Sequence, residues 1–232
     1  METILVTGSN GLLGQKIIYG LLAKGGINII STSRGANRMR RVDGYRYEDL
    51  DITDANRVAR VFDQYKPTVV INCAAYTNVD GCETNRDACQ ALNVDAVKYL
   101  LAECARHGCH LVHLSTDFVF DGLTGPYKEE DKPNPLSHYA RTKLDAEKII
   151  AESSVSWAIL RTIIIYGVVD DNSRSNVVLW TKRSLENKQD IRVINDQYRS
   201  PTLAEDLAAA CIAAALKKAR GIYHVSGSEV MC

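Results

Sequence analysis

Residues 4–14 read ILVTGSNGLLG, an apolar run followed by glycines at every third position. The next ten residues carry apolar side chains at a spacing that lines one face of a helix, so the stretch predicts a strand, a glycine turn and a helix. Glycine tolerates positive φ and lets a ligand approach the backbone, while the free N–H groups at a helix start attract phosphate. We predict that this turn binds a dinucleotide through Gly8, Ser9, Asn10, Gly11, Leu12, Leu13 and Gly14.

The glycine spacing limits which nucleotide this turn could bind. It is looser than the common Gly-x-Gly-x-x-Gly, and it lacks the Gly-Lys-Ser/Thr of a nucleoside-triphosphate loop. The alternative interpretation is a turn whose glycines serve only the close packing of the helix against the strand. The residues further along the chain decide between the two.

Composition and charge narrow the class of protein. With 232 residues, 46% of them hydrophobic, the chain can bury the core of one large α/β domain or of one domain with a small appendage. Basic and acidic residues number 28 each without a block of like charge, so nucleic acid and membrane surfaces are poor partners. The seven cysteines form no Cys-x-x-Cys pair, which favours a reducing, cytoplasmic compartment. We expect neither a membrane span nor a signal peptide, because no apolar run reaches roughly 18 residues and the first strand directly follows Met1.

Strand and helix patterns alternate along the chain. After the first strand and helix we predict strands over 28–33, 45–50, 68–75, 109–115, 156–165, 191–194 and 221–226, and helices over 53–65, 85–106, 139–151, 176–187 and 202–216. Between them, the polar, proline-containing segment 122–137 is predicted to be an irregular loop. The alternation predicts an α/β fold of the Rossmann type, a doubly wound parallel sheet that binds ligands at the carboxyl ends of its strands. We assign residues 1–165 to an NAD(P)-binding domain and residues 166–232 to a smaller C-terminal substrate lobe interleaved with the sheet edge.

The end of the second strand indicates which dinucleotide is preferred. A site that prefers NAD carries an acidic residue there for the ribose hydroxyls, whereas this chain has Ser33 and Arg34. Arginine suits a 2′-phosphate, so we predict that NADP(H) is preferred and that NAD(H) is possible. The alternative is that Arg34 is a solvated loop charge.

Tyr139 and Lys143 lie four residues apart on a predicted helix, so their side chains share one face. A lysine charge and an oxidised nicotinamide nearby would favour the phenolate of the tyrosine and lower its pKa, making it an acid–base catalyst. Thr116, at the end of the fifth predicted strand, offers a hydroxyl to orient the substrate oxygen. A lone Tyr-x-x-x-Lys is more often structural, but together with the glycine turn it favours catalysis. The histidines and cysteines show no metal-ligand spacing, so we predict no metal site.

Several motifs in this order resemble an extended short-chain dehydrogenase/reductase. They are TGSNGLLG at 7–14, NCAA at 72–75, STDFVFDG at 115–122, the pair Tyr139 and Lys143, and LRT at 160–162. Within that superfamily, AYTNVD at 75–80, STDFVFDG and DQYRSPT at 196–202 are similar to the dTDP-4-dehydrorhamnose reductase branch. The resemblance covers essentially the whole chain.

This resemblance implies NAD(P)H-dependent reduction of a keto sugar nucleotide, with an activated keto sugar as the small-molecule substrate. Tyr139 would donate the proton, Lys143 would hold the ribose and tune the tyrosine, and Thr116 would bind the carbonyl oxygen. The resemblance also implies cofactor contacts by Asp51, Ile52, Ala74, Ala75, Tyr76 and Asn93, and substrate contacts by Val79, Asp117 and Arg199. For Asp51 and Asn93, helix capping and solvated polarity are the alternatives. Because the family continues beyond the last predicted strand, the resemblance implies an incomplete substrate lobe, and a homodimer is compatible with it.

Two other functions fit the same scaffold. One is a sugar-nucleotide epimerase or dehydratase that retains NAD. Arg34 argues against this function, because an arginine at that position favours NADP. The other is a non-catalytic NADP-binding regulatory subunit, because Arg199 is similar to the arginine of the methionine adenosyltransferase β subunit. The intact Thr116, Tyr139 and Lys143 argue against a pure binding role.

Overall fold

A computed structural model describes residues 2–170 and 176–232 of the chain. Residues 1 and 171–175, which belong to the two predicted domains, lie outside the described residues. The strands are β1 (Thr3–Thr7), β2 (Asn28–Ser33), β3 (Arg46–Asp49), β4 (Val69–Asn72), β5 (His110–Thr116), β6 (Ser156–Thr162), β7 (Ile165–Tyr166), β8 (Thr202–Leu203) and β9 (Gly221–Val225). The α-helices are α1 (Leu12–Lys24), α2 (Ala55–Tyr65), α3 (Val79–Thr84), α4 (Arg86–Gln90), α5 (Ala96–His107), α6 (His138–Ala151), α7 (Val177–Glu186) and α8 (Ala204–Lys217).

Seven of the strands form one parallel sheet in the order β3-β2-β1-β4-β5-β6-β9. The chain moves outward in one direction from β1 to β3, and then in the other direction from β4 to β9. The order therefore reverses between β1 and β4, and an open α/β sheet forms its ligand crevice at such a reversal. The predicted doubly wound fold is confirmed.

Helices cover both faces of the sheet, which explains why the central strands are apolar at nearly every position. On one face α1 and α8 pack against alternate residues of β1, β4 and β5, with Ile17 and Leu207 fully buried. On the other face α2, α5 and α6 cover the intervening residues, with Phe62 and Leu100 fully buried. None of the described helices is both long and apolar enough to cross a membrane.

Several predicted elements have different bounds in the structure. The predicted strand over 191–194 is wrong, since no strand is assigned to these residues. The strand predicted over 156–165 ends at Thr162, and Ile165 and Tyr166 instead pair with β8 in a separate two-stranded sheet. The helix predicted over 85–106 is interrupted, because residues Ala91–Asp95 form a π-helix between α4 and α5. The extra residue of the π-helical turn shifts the apolar repeat by only one position, which hydrophobic periodicity alone does not distinguish from the scatter of a regular helix.

The C-terminal part of the chain divides between the main sheet and its rim. Helix α8 packs on α1, and β9 extends the sheet beside β6, with Leu160 aligned to Tyr223. Helix α7 and the segment up to β8 are largely exposed, and Arg199 forms an isolated antiparallel bridge with Met231. The boundary at residue 165 stays a prediction, but α8 and β9 belong to the layers that residues 2–165 begin.

Candidate functional site

A cleft with a volume of about 460 Å³ opens at the carboxyl ends of β1, β4 and β5. Most of the residues that the sequence predicts to bind cofactor, to bind substrate or to act in catalysis line this cleft. The lining includes Gly8, Gly11, Leu12, Leu13, Gly14, Ser33, Arg34, Asp51, Ile52, Ala74, Ala75, Val79, Thr116, Asp117, Tyr139 and Lys143. Ser9, Asn10, Tyr76, Asn93 and Arg199 were also predicted, and they are not part of this lining.

The glycine turn leaves no room for side chains on its backbone. A Cβ at Gly8, whose φ is +68°, would lie 2.7 Å from the Ala74 nitrogen, and one at Gly14 would lie 2.4 Å from the Gly8 oxygen. Gly11 precedes the first turn of α1, and no side chain of the described residues caps that turn. Its N–H groups are therefore free to receive an anion at the positive end of the helix dipole. The turn fits the pyrophosphate of a dinucleotide.

Asn10 and Ser9 act behind the cleft. The Asn10 amide donates to the Ala36 oxygen at 2.9 Å, and its carbonyl accepts from the Arg38 nitrogen at 3.0 Å. Asn10 therefore holds the loop that follows Arg34. The Ser9 backbone donates to Thr32, while its buried hydroxyl has no hydrogen-bond partner among the described residues.

Arg34 and Asp51 form the far end of the cleft. Arg34 Nη1 lies 3.7 Å from Asp51 Oδ2, and the arginine side chain is 70% exposed. Burial raises the pKa of Asp51, but hydrogen bonds from Thr53 and the charges of Arg34 and Arg57 more than compensate, so the net pKa is lowered. Asp51 is therefore negatively charged at neutral pH. An exposed cation here fits a phosphate on the adenosine ribose, and the buried side chain of Ile52 offers an apolar wall.

Asn93 connects the loop after β4 to helix α6 through hydrogen bonds. Its Oδ1 accepts from the Tyr76 nitrogen at 2.8 Å, and its Nδ2 donates to the Tyr76 oxygen at 3.2 Å and to Thr142 Oγ1 at 3.1 Å. Asn93 lies in the π-helix 91–95, a kind of distortion that is frequent at functional sites. Asn93 does not line the cleft itself. By holding the Tyr76 backbone it fixes the loop whose residues Ala74 and Ala75 do line the cleft.

Tyr139 and Lys143 reach the cleft from the first turns of α6. Ser137 caps this helix by accepting from the Ala140 nitrogen at 3.2 Å. Tyr139 is 8% exposed and Lys143 is 3% exposed. Lys143 Nζ donates to the Leu114 oxygen at 2.6 Å, and Thr116 at the end of β5 lines the same space. The structure thus brings the three predicted catalytic residues together in one cleft.

Burial controls the protonation of this pair. It raises the pKa of Tyr139 to about 12, although a hydrogen bond with Thr116 acts in the opposite direction. It lowers the pKa of Lys143 to about 8, with Glu147 acting in the opposite direction. The pKa of Tyr139 is thus raised, whereas sequence analysis predicts a lowered pKa beside a lysine charge and an oxidised nicotinamide. The reason is that burial among the protein's own residues favours the neutral phenol. A protonated tyrosine is the state that a proton donor requires.

Asp117, Phe118 and Arg199 form one wall next to Tyr139. Arg199 Nη1 lies 2.9 Å from Asp117 Oδ2, and the guanidinium carbon lies 5.0 Å from the centre of the Phe118 ring. Phe118 in turn contacts Tyr139 edge to face at 6.1 Å. Burial raises the pKa of Asp117, while the Arg199 charge lowers it in part. Arg199 therefore reaches the site through Asp117 and Phe118, and Val79 at the start of α3 lines the cleft beside Thr77.

Two buried polar groups were missed from the sequence. Ser115 donates to Glu147 at 2.5 Å, and Glu147 forms an ion pair with Arg161 at 2.7 Å, with both charged side chains about 4% exposed or less. The second group is a row of Thr7, Asn72 and His113 that ends at Lys143. A periodic polar position at the end of an otherwise apolar strand is the only sequence indication of such residues. No cluster of three or more His, Cys, Asp or Glu residues arranged for a metal ion occurs within 2–170 and 176–232.

The sheet order, the glycine turn and the cleft define a Rossmann-type α/β protein with a tyrosine and a lysine at its ligand crevice. Comparison with known proteins narrows the class. The chain belongs to the family described as the RmlD substrate binding domain, which matches residues 1–232.

The relatives include both enzymes and a subunit. Methionine adenosyltransferase 2 subunit beta of Bos taurus is 35% identical over 98% of this chain and 68% of its own length. A dTDP-4-dehydrorhamnose reductase of Aggregatibacter actinomycetemcomitans is 32% identical over 98% of this chain and 74% of its own length. Among solved structures, a dTDP-4-dehydrorhamnose reductase of Bacillus anthracis in complex with NADP has a TM-score of 0.84 and 29% identity, covering 99% of this chain and 75% of that one. The predicted resemblance to the dTDP-4-dehydrorhamnose reductase branch is confirmed.

Proposed function

We propose that this protein is an NADP(H)-dependent oxidoreductase that reduces the keto group of a nucleotide-linked sugar. The observation that carries the proposal is the meeting of Thr116, Tyr139 and Lys143 in the cleft that begins at the glycine turn. The similar reductases, one of them solved with NADP, support both the reaction and the cofactor. NAD(H) is also proposed as a cofactor, because Arg34 is exposed and lies 3.7 Å from Asp51 rather than being held closely in place.

Each group has a defined part in this reaction. When bound, the nicotinamide cofactor would supply the hydride that adds to the carbonyl carbon. Thr116 donates a hydrogen bond to the substrate carbonyl oxygen, which polarises the carbon, and Tyr139 transfers its phenolic proton to that oxygen. Lys143, charged below its pKa of about 8, stabilises the phenolate that remains. The free N–H groups after Gly11 would hold the pyrophosphate, and Arg34 would hold the 2′-phosphate.

The same proposal assigns the substrate side of the cleft. Val79 and Asp117 line the cleft and would contact the sugar, and Arg199 would act on the substrate through its ion pair with Asp117. The substrate is an activated keto sugar rather than a nucleic acid or a lipid surface. The seven free cysteines support the predicted reducing, cytoplasmic compartment.

An absorbance assay tests the proposed reaction. Purified protein is incubated with NADPH and a panel of nucleotide-linked 4-keto sugars, and NADPH consumption is followed at 340 nm. We expect consumption with at least one sugar, and we expect Tyr139→Phe to lower kcat by roughly 100-fold or more while the Kd for NADPH is kept. Tight NADPH binding without consumption of any sugar would contradict the proposal, as would normal turnover by the phenylalanine variant.

A subunit role is the second candidate, favoured by the 35% identity to methionine adenosyltransferase 2 subunit beta. The ion pair between Arg199 and Asp117 is also consistent with it, because it engages polar groups beside Tyr139. Size-exclusion chromatography with a methionine adenosyltransferase 2 catalytic subunit separates the candidates. A stable complex with no NADPH consumption supports the subunit role, whereas an epimerase or dehydratase would retain NAD through purification.

A further inference from the structure

The row formed by Thr7, Asn72 and His113 crosses three neighbouring strands and ends at Lys143. In the parallel register Thr7 is aligned with Asn72, and Asn72 is aligned with His113, so all three side chains point to the face that α6 covers. Thr7 Oγ1 lies 2.5 Å from Asn72 Oδ1, Asn72 Nδ2 lies 3.1 Å from His113 Nδ1, and His113 Nε2 lies 3.2 Å from Lys143 Nζ. All four residues are buried.

His113 has to be neutral in this position. Burial and the neighbouring charge of Lys143 lower its pKa well below the usual range for histidine. A neutral imidazole carries one N–H, so one ring nitrogen donates and the other accepts. The tautomer of His113 therefore determines what Lys143 meets at Nε2.

The two tautomers suit the two charge states of Lys143. An ammonium has no lone pair and can only donate, so it requires a bare Nε2 and places the ring proton on Nδ1, where the Asn72 carbonyl has to accept it. A neutral amine can accept, so it allows the proton on Nε2, and Nδ1 then accepts from the Asn72 amide group. In the second arrangement the Asn72 carbonyl faces the Thr7 hydroxyl, which is the orientation of the amide in the structure.

We propose that His113, oriented by Asn72 and Thr7, is a positioning residue that holds Lys143 and switches its tautomer with the charge of that lysine. When Lys143 loses one proton to solvent, the single ring proton moves from Nδ1 to Nε2 and the amide of Asn72 turns over. Thr7 lies directly before Gly8, so the row connects the lysine to the start of the dinucleotide-binding turn. Among the described residues, the titratable groups that act on Lys143 are Glu147 on α6, Cys73 after β4 and Cys89 on α4, and Tyr139 on α6 lines the cleft with it.

The tautomer is measured directly by NMR on the whole protein without added cofactor. With ¹⁵N-labelled histidine, two-bond ¹H–¹⁵N correlations show which ring nitrogen carries the proton, and a His113→Gln sample identifies the His113 signals among the five histidines. We expect the proton on Nδ1 at about pH 6.5 and on Nε2 at about pH 9.5, on either side of the Lys143 transition. One tautomer at both pH values, or a doubly protonated ring at the lower pH, would overturn the proposal.

The consequence for turnover rests on the proposed reductase function, whereas the NMR result does not, so the two can fail separately. His113→Leu removes the acceptor for the lysine ammonium, and we expect the alkaline limb of kcat/KM to move down by about one pH unit. His113→Gln presents an amide that can accept from the ammonium or donate to the amine, so it should restore the wild-type limb. A leucine variant that folds normally and keeps the wild-type pH profile would contradict the positioning role. If that variant does not fold, the NMR measurement on the wild type still decides.

Discussion

At the scale of single residues, burial of the Lys143 side chain reduces the free energy of unfolding. The lowering of its pKa from 10.5 to about 8 means that the charged form is disfavoured by burial. At about 1.4 kcal/mol for each pH unit, this corresponds to about 3 kcal/mol at neutral pH. The proposed chemistry therefore depends on a residue that weakens the protein, as is common at active sites.

Lys143→Met should abolish turnover and stabilise the protein at pH 7, because it removes a buried charge and keeps the length of the side chain. The unfolded chain holds the lysine proton up to about pH 10.5, whereas the folded chain releases it near pH 8. The stability of the wild type should therefore rise relative to the variant as the pH increases from about 8 to about 10.5. Thermal unfolding of both proteins at several pH values measures this. A difference in Tm that does not change with pH would show that the lysine is not strained by burial.

The residues of the site differ in how visible they are in the sequence. The glycine turn and the pair Tyr139 and Lys143 are local patterns, so they are recognised from spacing. The row ending at His113 is not local, since Thr7 and Asn72 are 65 residues apart and Asn72 and His113 are 41 apart. Only the strand order makes them neighbours, which is why sequence analysis did not find them.

At the scale of elements, the first turn of α6 orients Tyr139, the proposed proton donor. Ser137 caps the helix two residues before Tyr139, and Asp54 caps α2 in the same way by accepting from the Arg57 nitrogen at 3.0 Å. Helix α2 contributes no residue to the lining of the cleft. Both caps accept a backbone hydrogen bond from the residue three positions later, Ser137 beside the cleft and Asp54 away from it, although Ser137 is neutral and Asp54 is an acid.

Replacing either cap by alanine should reduce the free energy of unfolding by about 1 kcal/mol. Only Ser137→Ala should also lower kcat, by roughly tenfold, because fraying of the first turn displaces Tyr139. Chemical denaturation and the NADPH assay on both variants measure the two effects. Equal kcat values for Ser137→Ala and Asp54→Ala would show that the cap does not position the tyrosine.

The strands and helices were predicted correctly where buried side chains recur at a regular spacing. The bounds of β2 agree with the prediction, and α6 begins within one residue of it, because capping and apolar periodicity act locally. The prediction failed at the π-helix 91–95 and at residues 191–194. Within residues 191–194, the apolar side chains of Val193 and Ile194 are exposed. They therefore gain no burial that would stabilise an extended strand.

At the scale of the whole molecule, the C-terminal helix α8 is part of the core that β1 and α1 begin. Leu207 is fully buried in the same cluster as Ile4 and Ile17. Local patterns predicted that α8 is a helix but not where it packs. Apolar periodicity shows which face of a helix is buried, but not which element covers that face. The assignment of residues 166–232 to a separate lobe follows from that gap.

Leu207→Ala should therefore cost about 2–5 kcal/mol of unfolding free energy, as is typical of a cavity in a well-packed core. Leu185 on α7, which is 63% exposed, offers a control, and Leu185→Ala should change stability by less than about 0.5 kcal/mol. Denaturant unfolding of both variants, with loss of β-sheet signal as the readout, measures the difference. A separate unfolding transition for residues after 165 would favour the two-domain division instead.

The close approach of Gly8 to Ala74 has a consequence for the evolution of the family. Because a side chain at Gly8 or Gly14 would meet backbone atoms within 2.7 Å, packing of the fold alone selects for glycine at both positions. A descendant that lost its cofactor would keep this turn unchanged, whereas the exposed Arg34 would be free to drift. Within this family, therefore, retention of nucleotide binding is better judged from the residue at position 34 than from the glycines.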